Sequence, residues 1–208
     1  MALVTAPLMS LDASGSVAKT VTFSKWEGRN YVRQTVIPHN PKSAAQTGMR
    51  SAVRFLSQIW ASIKVAVAAD YLALADAQKI STFNAFIQVN LNRWRNGDGF
   101  TQAYPAAETV TPGTITLGTP EGGQRNVVLT VTPSTATGLQ GIAIFRDDAE
   151  ITTINWNNCI HIIETDAIDA VVWTDAPLNA GTYHYRAAFL SNDGLIGEGC
   201  ADQTGTAT

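Results

Sequence analysis

Two acidic clusters are the residues of this chain whose types and spacing come closest to a metal-binding or catalytic site. Asp147, Asp148 and Glu150 share one short segment, and Asp166 and Asp169 share another. A calcium loop needs about six oxygen ligands on a constrained backbone, and the first segment has no glycine, which favours a solvated turn. The sequence also has no nucleophile elbow, HExxH pair, phosphate-binding loop or dinucleotide fingerprint. We therefore expect no enzyme activity, no catalytic residue, no metal site and no cofactor.

Arginines close to aromatic residues are the second group of candidates. The cations are Arg29, Arg33, Arg50 and Arg54, and the rings are Trp26, Tyr31 and Trp60. Such a set would suit single-stranded nucleic acid, with cations on phosphates and rings on bases, but the positive surplus is small for a dedicated binder. The simpler interpretation places the rings in a core and the four arginines against another protein. We predict a partner-binding surface, and we do not expect nucleic acid.

Two tryptophans in the second half are candidates for contact with surface glycans. Trp156 lies between predicted strands and Trp173 lies at the end of one. Exposed aromatic rings around a β-sandwich would favour a carbohydrate-binding adhesin. Glycans are therefore an alternative partner.

The two halves of the chain carry opposite charge. Residues 1–104 contain 11 Lys and Arg against 5 Asp and Glu, a net charge of +6, whereas residues 105–208 contain 3 against 12, a net charge of −9. The formal charge of the whole chain is −3. This asymmetry predicts that the first half docks onto an acidic surface and that the second half is solvated and faces outward.

The candidate arginines and aromatic residues of the first half lie on a predicted hairpin and predicted helices. Alternating β-branched and aromatic residues over 17–26 and 31–37, with a turn at 27–30, predict a β-hairpin with Gly28 in the turn. A proline-rich segment then leads to an N-cap at Asn40 or Ser43. Apolar residues recur at three-and-four spacing from residue 45 to 63, and further helices are expected over 66–78 and from Ser81 to a stop at 97–99.

The candidate tryptophans of the second half lie on or between predicted strands. Residues 101–113 have two prolines and no helical period, which is typical of a linker. Eight strands are predicted at sandwich spacing, over 114–119, 126–132, 141–146, 151–155, 159–164, 170–174, 182–191 and 196–202. Cys159 and Cys200 could pair on neighbouring strands, but the start of the chain lacks a secretory pattern, which favours free thiols. No segment has the ~20 apolar residues that span a bilayer, so no membrane partner is expected.

The last third of the chain resembles a fibronectin type III-like domain. The matching positions are Asp175, Leu178, Gly181, Thr182, Tyr183 and Tyr185, which lead into the sixth strand of that family. Ala187 stands where an aliphatic residue is usual. The resemblance covers about residues 112–205 and implies a β-sandwich without implying a function. A more distant immunoglobulin-like sandwich is the alternative.

The first half is similar to the N-terminal region of small, mostly uncharacterised structural proteins of tailed bacteriophages and prophages. The matching positions are Gly15, Ala18, Thr20, Phe23, Ser24, Trp26, Gly28, Arg33, Pro38, Asn40, Pro41, Gln46, Arg50 and residues 83–86. Glu27 stands where lysine is common and Ser43 where threonine is common. The likeness spans about residues 10–95 and implies a component of the virion.

Together these observations predict an α+β N-terminal domain, a β-hairpin plus about three helices, followed by an all-β immunoglobulin or fibronectin type III-like sandwich. The expected boundaries are 1–104 for the basic anchoring domain, 105–112 for the linker and 113–208 for the acidic sandwich. The expected function is that of a non-enzymatic virion structural protein, assembled in many copies in the host cytoplasm and docked on major capsid or tail proteins. Capsid decoration is the first choice, and the alternatives are a tail or neck component and a carbohydrate-binding adhesin.

Overall fold

A small antiparallel sheet forms the first of two units into which the chain divides. The computed structural model describes residues 2–3, 14–17, 20–26, 28–36 and 43–208, and its contacts separate Met1–Pro41 from Lys42–Thr208. We call these the hairpin unit and the main unit. The predicted boundary at 105–112 therefore differs from the observed one, and the helices belong with the second half of the chain.

The hairpin unit is built on the hairpin that the sequence predicts. Its strands are β1 (Ala2–Leu3), β2 (Gly15–Val17), β3 (Val21–Trp26) and β4 (Arg29–Gln34), in the order β1-β4-β3-β2. In the register, Trp26 lies opposite Arg29 and Phe23 lies opposite Val32. Gly28 has a φ of +78°, which glycine adopts without the steric cost of a Cβ. The predicted turn at Gly28 is confirmed, while its neighbour Glu27 lies outside the described residues.

Three helices open the main unit. They are α1 (Ala44–Val67), α2 (Leu72–Gln78) and α3 (Thr82–Asn96). The backbone N–H of Gln46 donates to the Ser43 hydroxyl at the start of α1, and the N–H of Asn84 donates to the Ser81 hydroxyl at the start of α3. Both are N-caps of the expected chemistry. The alternative cap Asn40 lies outside the described residues.

Two antiparallel sheets follow and pack face to face. The strands are β5 (Ile115–Leu117), β6 (Glu121–Gly123), β7 (Asn126–Pro133), β8 (Leu139–Asp147), β9 (Cys159–Glu164), β10 (Val171–Asp175), β11 (Gly181–Ser191) and β12 (Gln203–Ala207). One sheet has the order β10-β7-β5 with β6 also on β7, and the other has the order β12-β11-β8-β9. The main unit thus combines helices with a sandwich of antiparallel sheets, as the sequence predicts at the level of fold class.

Two predicted strands are not strands in the structure. Residues 151–155 form a loop that leads into a short 3-10 helix, Trp156–Asn158, and the last strand is β12 rather than 196–202. The loop is held by its own contacts, because the N–H of Ile151 donates to the carboxylate of Asp202 and the Ile154 side chain packs on the core. Apolar side chains in these segments serve a packed loop, which a period-two pattern does not distinguish from a strand.

The helices share one hydrophobic core with the outer face of the sheet β12-β11-β8-β9. Its buried members include Phe55, Leu56, Phe86, Phe145, Cys159, Ile162 and Leu190. A separate core between the sheets includes Val127, Leu129, Ile142, Ile144 and Phe189. Strand β8 is therefore buried on both faces, which explains its almost continuous apolar sequence.

Helix α1 and strand β9 approach each other very closely. A Cβ added at Gly48 would lie 2.2 Å from the carbonyl oxygen of Cys159. One turn later, the Ser51 hydroxyl accepts a hydrogen bond of 2.7 Å from the backbone N–H of Ile162. This contact joins the first helix directly to the sandwich.

The predicted linker is hydrogen-bonded to Asp193, which follows the end of β11. The carboxylate of Asp193 accepts hydrogen bonds of 2.6 Å from the N–H groups of Thr109 and Val110, and Arg93 makes a salt bridge of 2.7 Å with Glu108. Burial raises the pKa of Asp193, but hydrogen bonds from Ser191, Val110 and Thr109 outweigh that effect, so the pKa lies below its ordinary value. The segment is part of the main unit rather than a connection between domains.

Cys159 and Cys200 are both free thiols, and burial raises the pKa of each. Among the described residues, no single helix is long and apolar enough to cross a membrane. Within the same described part of the chain, α1 and α2 together pass by length and composition, but a bend of 107° separates them.

Candidate functional site

The four predicted arginines fall into two pairs. Arg29 and Arg33 lie on the same face of β4 in the hairpin unit, because side chains four positions apart on a strand share a face. Arg50 and Arg54 lie one turn apart on α1 in the main unit. All four side chains are exposed. The structure therefore offers two arginine pairs, each held by one element.

The two predicted glycan-binding tryptophans lie in different places. The Trp156 ring is half-buried, with its centroid 4.2 Å from the ring of Trp94 and 5.6 Å from that of Phe145. It is therefore largely a core side chain. Trp173 lies on β10 and lines an open groove of about 470 Å³. The structure does not bring Trp156 and Trp173 together, but it does bring Trp173 together with Arg54.

This groove lies where the two sheets leave an open side. Strand β9 is the edge of one sheet and β10 is the edge of the other. The ring of His161 on β9 stacks on the ring of Trp173 on β10, with the centroids 4.8 Å apart and the planes 10° apart. Arg54 and Gln58 reach the same groove from α1, and the wall is completed by Ile162, Ile163 and Glu164. Two sheet edges and one helix thus hold one site, which we call the α1–β10 groove.

His161 in this groove is neutral at pH 7. Burial lowers its pKa, and the positive charge of Arg54 lowers it further, while Asp175 acts in the opposite direction. The Ser51 hydroxyl accepts from the backbone N–H of Ile162, and it also lies 3.4 Å from Nδ1 of His161. A neutral imidazole has one ring nitrogen that donates and one that accepts.

The groove offers groups that can bind a polar ligand. Its stacked rings give an apolar surface, Gln58 and the neutral His161 each have a donor and an acceptor, Arg54 donates, and Glu164 accepts. In the part of the chain that the structure describes, no three His, Cys, Asp or Glu side chains are placed to hold a metal ion. Such a groove can hold a polar ligand that has one flat apolar face.

Sequence reasoning found two of the groove residues and missed others. Arg54 and Trp173 were candidates, whereas His161 and Gln58 were not. A signal for His161 was present, because it is a polar ring between Ile160 and Ile162 in a largely apolar strand. Gln58 follows Arg54 by four residues on the same helical face, which is a weak signal by itself.

Comparisons with known proteins add a structural likeness. No protein-family model and no curated protein matches the chain. Among solved structures, the chain is similar to a Fn3-like protein from Clostridium thermocellum, with 15% sequence identity and a TM-score of 0.33, over 47% of this chain and 93% of that one. A likeness at this level carries no argument about function.

Proposed function

We propose that this chain is a non-enzymatic structural protein of a tailed-phage virion, with capsid decoration as its first role. The proposal is supported by the similarity of residues 10–95 to structural proteins of tailed phages. It is also supported by the division of the chain into a small basic unit and a larger one. The first would be the anchor, and the second would be displayed on the particle.

The observation that carries this proposal is an exposed surface on the hairpin unit. Trp26 at the end of β3 is 67% exposed, and its partner across the hairpin is Arg29. Cross-strand partners lie on the same face of a sheet, so Trp26, Arg29 and Arg33 form one surface, which we call the hairpin-tip surface. Tryptophan and arginine are the residue types that dominate the energy of protein interfaces.

The charge of the hairpin unit suits the same partner. Residues 1–41 contain 4 Lys and Arg against 2 Asp and Glu. Positive groups around an exposed ring complement an acidic surface with an apolar patch. On a symmetric lattice, one weak contact per copy would be reinforced by many copies and by contacts between them.

We further propose that residues 113–208 form a fibronectin type III-like sandwich. In support, the segment from Asp175 to Tyr185 matches the motif of that family, and the Tyr183 hydroxyl donates to the carbonyl of Asn179 at 3.1 Å. A tyrosine that bonds back to the chain a few residues earlier is typical of immunoglobulin-like sandwiches. The fold would provide a stable displayed body and does not itself imply a ligand.

The test is to locate the chain on purified particles. We expect cryo-electron microscopy of particles with a C-terminal label to show label over the head lattice. Label at one vertex or along the tail would overturn decoration in favour of a neck or tail role. Absence of the chain from particles would overturn the virion proposal as a whole.

Charge reversal then tests the hairpin-tip surface. We expect Arg29→Glu with Arg33→Glu to lower the affinity for the particle at least tenfold, which corresponds to about 1.4 kcal/mol. Arg95→Glu, an exposed arginine on α3, is the matched control and should bind normally. If Arg50→Glu abolishes binding and the hairpin variant does not, the docking surface lies on α1 and the hairpin assignment is wrong.

A further inference from the structure

A second cavity adjoins the α1–β10 groove and shares Glu164 with it. It has a volume of about 300 Å³ and lies between the later turns of α1, the start of β8 and the end of β9. Its polar lining comes from Ser62, Gln102, Gln140, Glu164, Thr165 and Asp166. On α1, Arg54, Gln58 and Ser62 follow at intervals of four residues, so they form a row about 12 Å long on one helical face. The groove and the cavity therefore lie along the same side of the helix.

Gln140 is the unusual residue of this cavity. Only 6% of it is exposed, and within the described part of the chain neither its amide nitrogen nor its amide oxygen has a hydrogen-bond partner. A buried polar group without a partner costs about 1–3 kcal/mol. An apolar residue of similar size would avoid that cost, so the position of Gln140 in a cavity wall indicates a polar ligand there.

We propose that the groove and the cavity together bind a neutral oligosaccharide. A sugar hydroxyl both donates and accepts hydrogen bonds, which matches the amides of Gln58, Gln102 and Gln140 and the hydroxyl of Ser62. A sugar ring also has an apolar face, which matches the Trp173 ring stacked on His161. A row of about 12 Å is long enough for a short chain of sugars.

The charges of the wall select against acidic glycans. Arg54 supplies one positive charge, while Glu164 and Asp166 supply two negative charges, and His161 is neutral for the reasons given above. A polyanionic glycan needs a surplus of cations on the wall. A neutral glycan needs only donors and acceptors, which this wall supplies.

The test is binding of trisaccharides to the full chain. Maltotriose, mannotriose, galactotriose and chitotriose are titrated separately, and the ¹H–¹⁵N signal of the Trp173 indole reports binding. We expect at least one of them to shift this signal in a saturable way. No shift with any of the four, or a shift only with a hexuronic acid trisaccharide, would overturn the proposal.

Two variants and a matched control tie binding to the site. Gln58→Ala changes an exposed groove residue, and Gln140→Met replaces the buried amide with an apolar side chain of similar size. We expect each to weaken binding at least fivefold, while Gln78→Ala, an exposed glutamine on α2, leaves it unchanged. Gln140→Met should also melt at a higher temperature than the native chain, because a buried amide without a partner has been removed.

Unchanged affinity in both Gln58→Ala and Gln140→Met would overturn the site even if a sugar binds elsewhere. The assay uses the isolated chain and the surface of the main unit. Its failure is therefore distinct from a failure of the chain to bind virions through the hairpin unit.

Discussion

At the scale of single residues, His161 joins three different elements. Its ring stacks on Trp173 of β10, its Nδ1 lies near Ser51 of α1, and its backbone belongs to β9. The low pKa of this histidine follows from burial first and from Arg54 second. The pKa of the imidazole therefore depends on the charge that Arg54 carries on α1.

We expect Arg54→Gln to raise the pKa of His161. The native chain has a folded-state pKa below the unfolded value of about 6.5, so the unfolded state binds more protons and stability falls as the pH drops below that value. Without the Arg54 charge this loss becomes smaller. NMR titration of the His161 Cε1–H signal and melting curves from pH 7.5 to 5 measure both effects.

Arg50→Gln is the matched control for that experiment, since Arg50 is exposed one turn earlier on α1 and does not contribute to the shift of His161. Equal changes in both variants would mean that the general charge of the helix acts on His161, and that the groove geometry does not.

The residues of the site could be predicted only in part. Trp173 and Arg54 were accessible to sequence reasoning because an aromatic ring in a sandwich and an arginine on an amphipathic helix are both recognisable by type. Gln140 was not, because its significance depends on burial without a partner. His161 was not a candidate, because its stacking on Trp173 joins two sheets and periodicity along the chain contains no information about such a contact.

At the scale of elements, the main feature is the close approach of α1 to β9. Gly48 allows it, since an added Cβ would lie 2.2 Å from the Cys159 carbonyl oxygen. Gly141 on the neighbouring strand β8 leaves room for Phe55 of α1, since an added Cβ there would lie 2.5 Å from the Ile163 carbonyl oxygen and 2.7 Å from the Phe55 ring. Gly48 thus lets α1 and β9 pack at backbone distance, and Gly141 makes room for a ring of the same helix.

We expect Gly48→Ala to destabilise the chain. In an exposed helix the substitution would gain about 1 kcal/mol from helix propensity. Here it drives a methyl group into a backbone oxygen, and overpacking costs typically 1–3 kcal/mol. The net loss is expected to be up to about 2 kcal/mol, measured by urea unfolding. Ser57→Ala, exposed on the same helix, should change stability by no more than a few tenths of a kcal/mol.

A measured gain in stability for Gly48→Ala would show that α1 can move away from β9 at little cost, and it would contradict the tight contact.

Elements with local signals were predictable and those without them were not. Ser43, Ser81 and Gly97 mark the helix ends by their own side-chain and backbone chemistry, and the structure places the ends there. The sharp bend between α1 and α2 was expected only as a change of helix near residue 66. The sequence of the loop at 151–155 resembles a strand because Ile151 and Ile154 pack on the core, although the backbone there is irregular.

At the scale of the whole molecule, the helices and the sandwich share one hydrophobic core. We expect residues 42–208 alone to fold and to melt in the same main transition as the full chain, since both cores lie within the main unit. A fragment of residues 1–104 should not fold, because the sheet half of its core, including Phe145, Ile162 and Leu190, is missing. Circular dichroism melting curves of the two fragments test this expectation.

Cooperative melting of the 1–104 fragment would contradict it and would restore the predicted boundary at 105–112. That boundary followed from charge and from two prolines, and both describe the surface of the chain. The division by contacts, between Pro41 and Lys42, depends on pairs of residues more than one hundred positions apart, which composition does not report.

The shared core also has a consequence for synthesis of the chain. Ser51 finds its partners on β9 110 and 111 residues later. Ribosomes add about 5–20 residues per second, so roughly 5–20 s pass between the emergence of α1 and that of β9. During that interval the apolar face of α1 has no sheet to cover it. The nascent chain therefore exposes an apolar helix face for several seconds before the strand that covers it has been made, and such exposed surface favours aggregation.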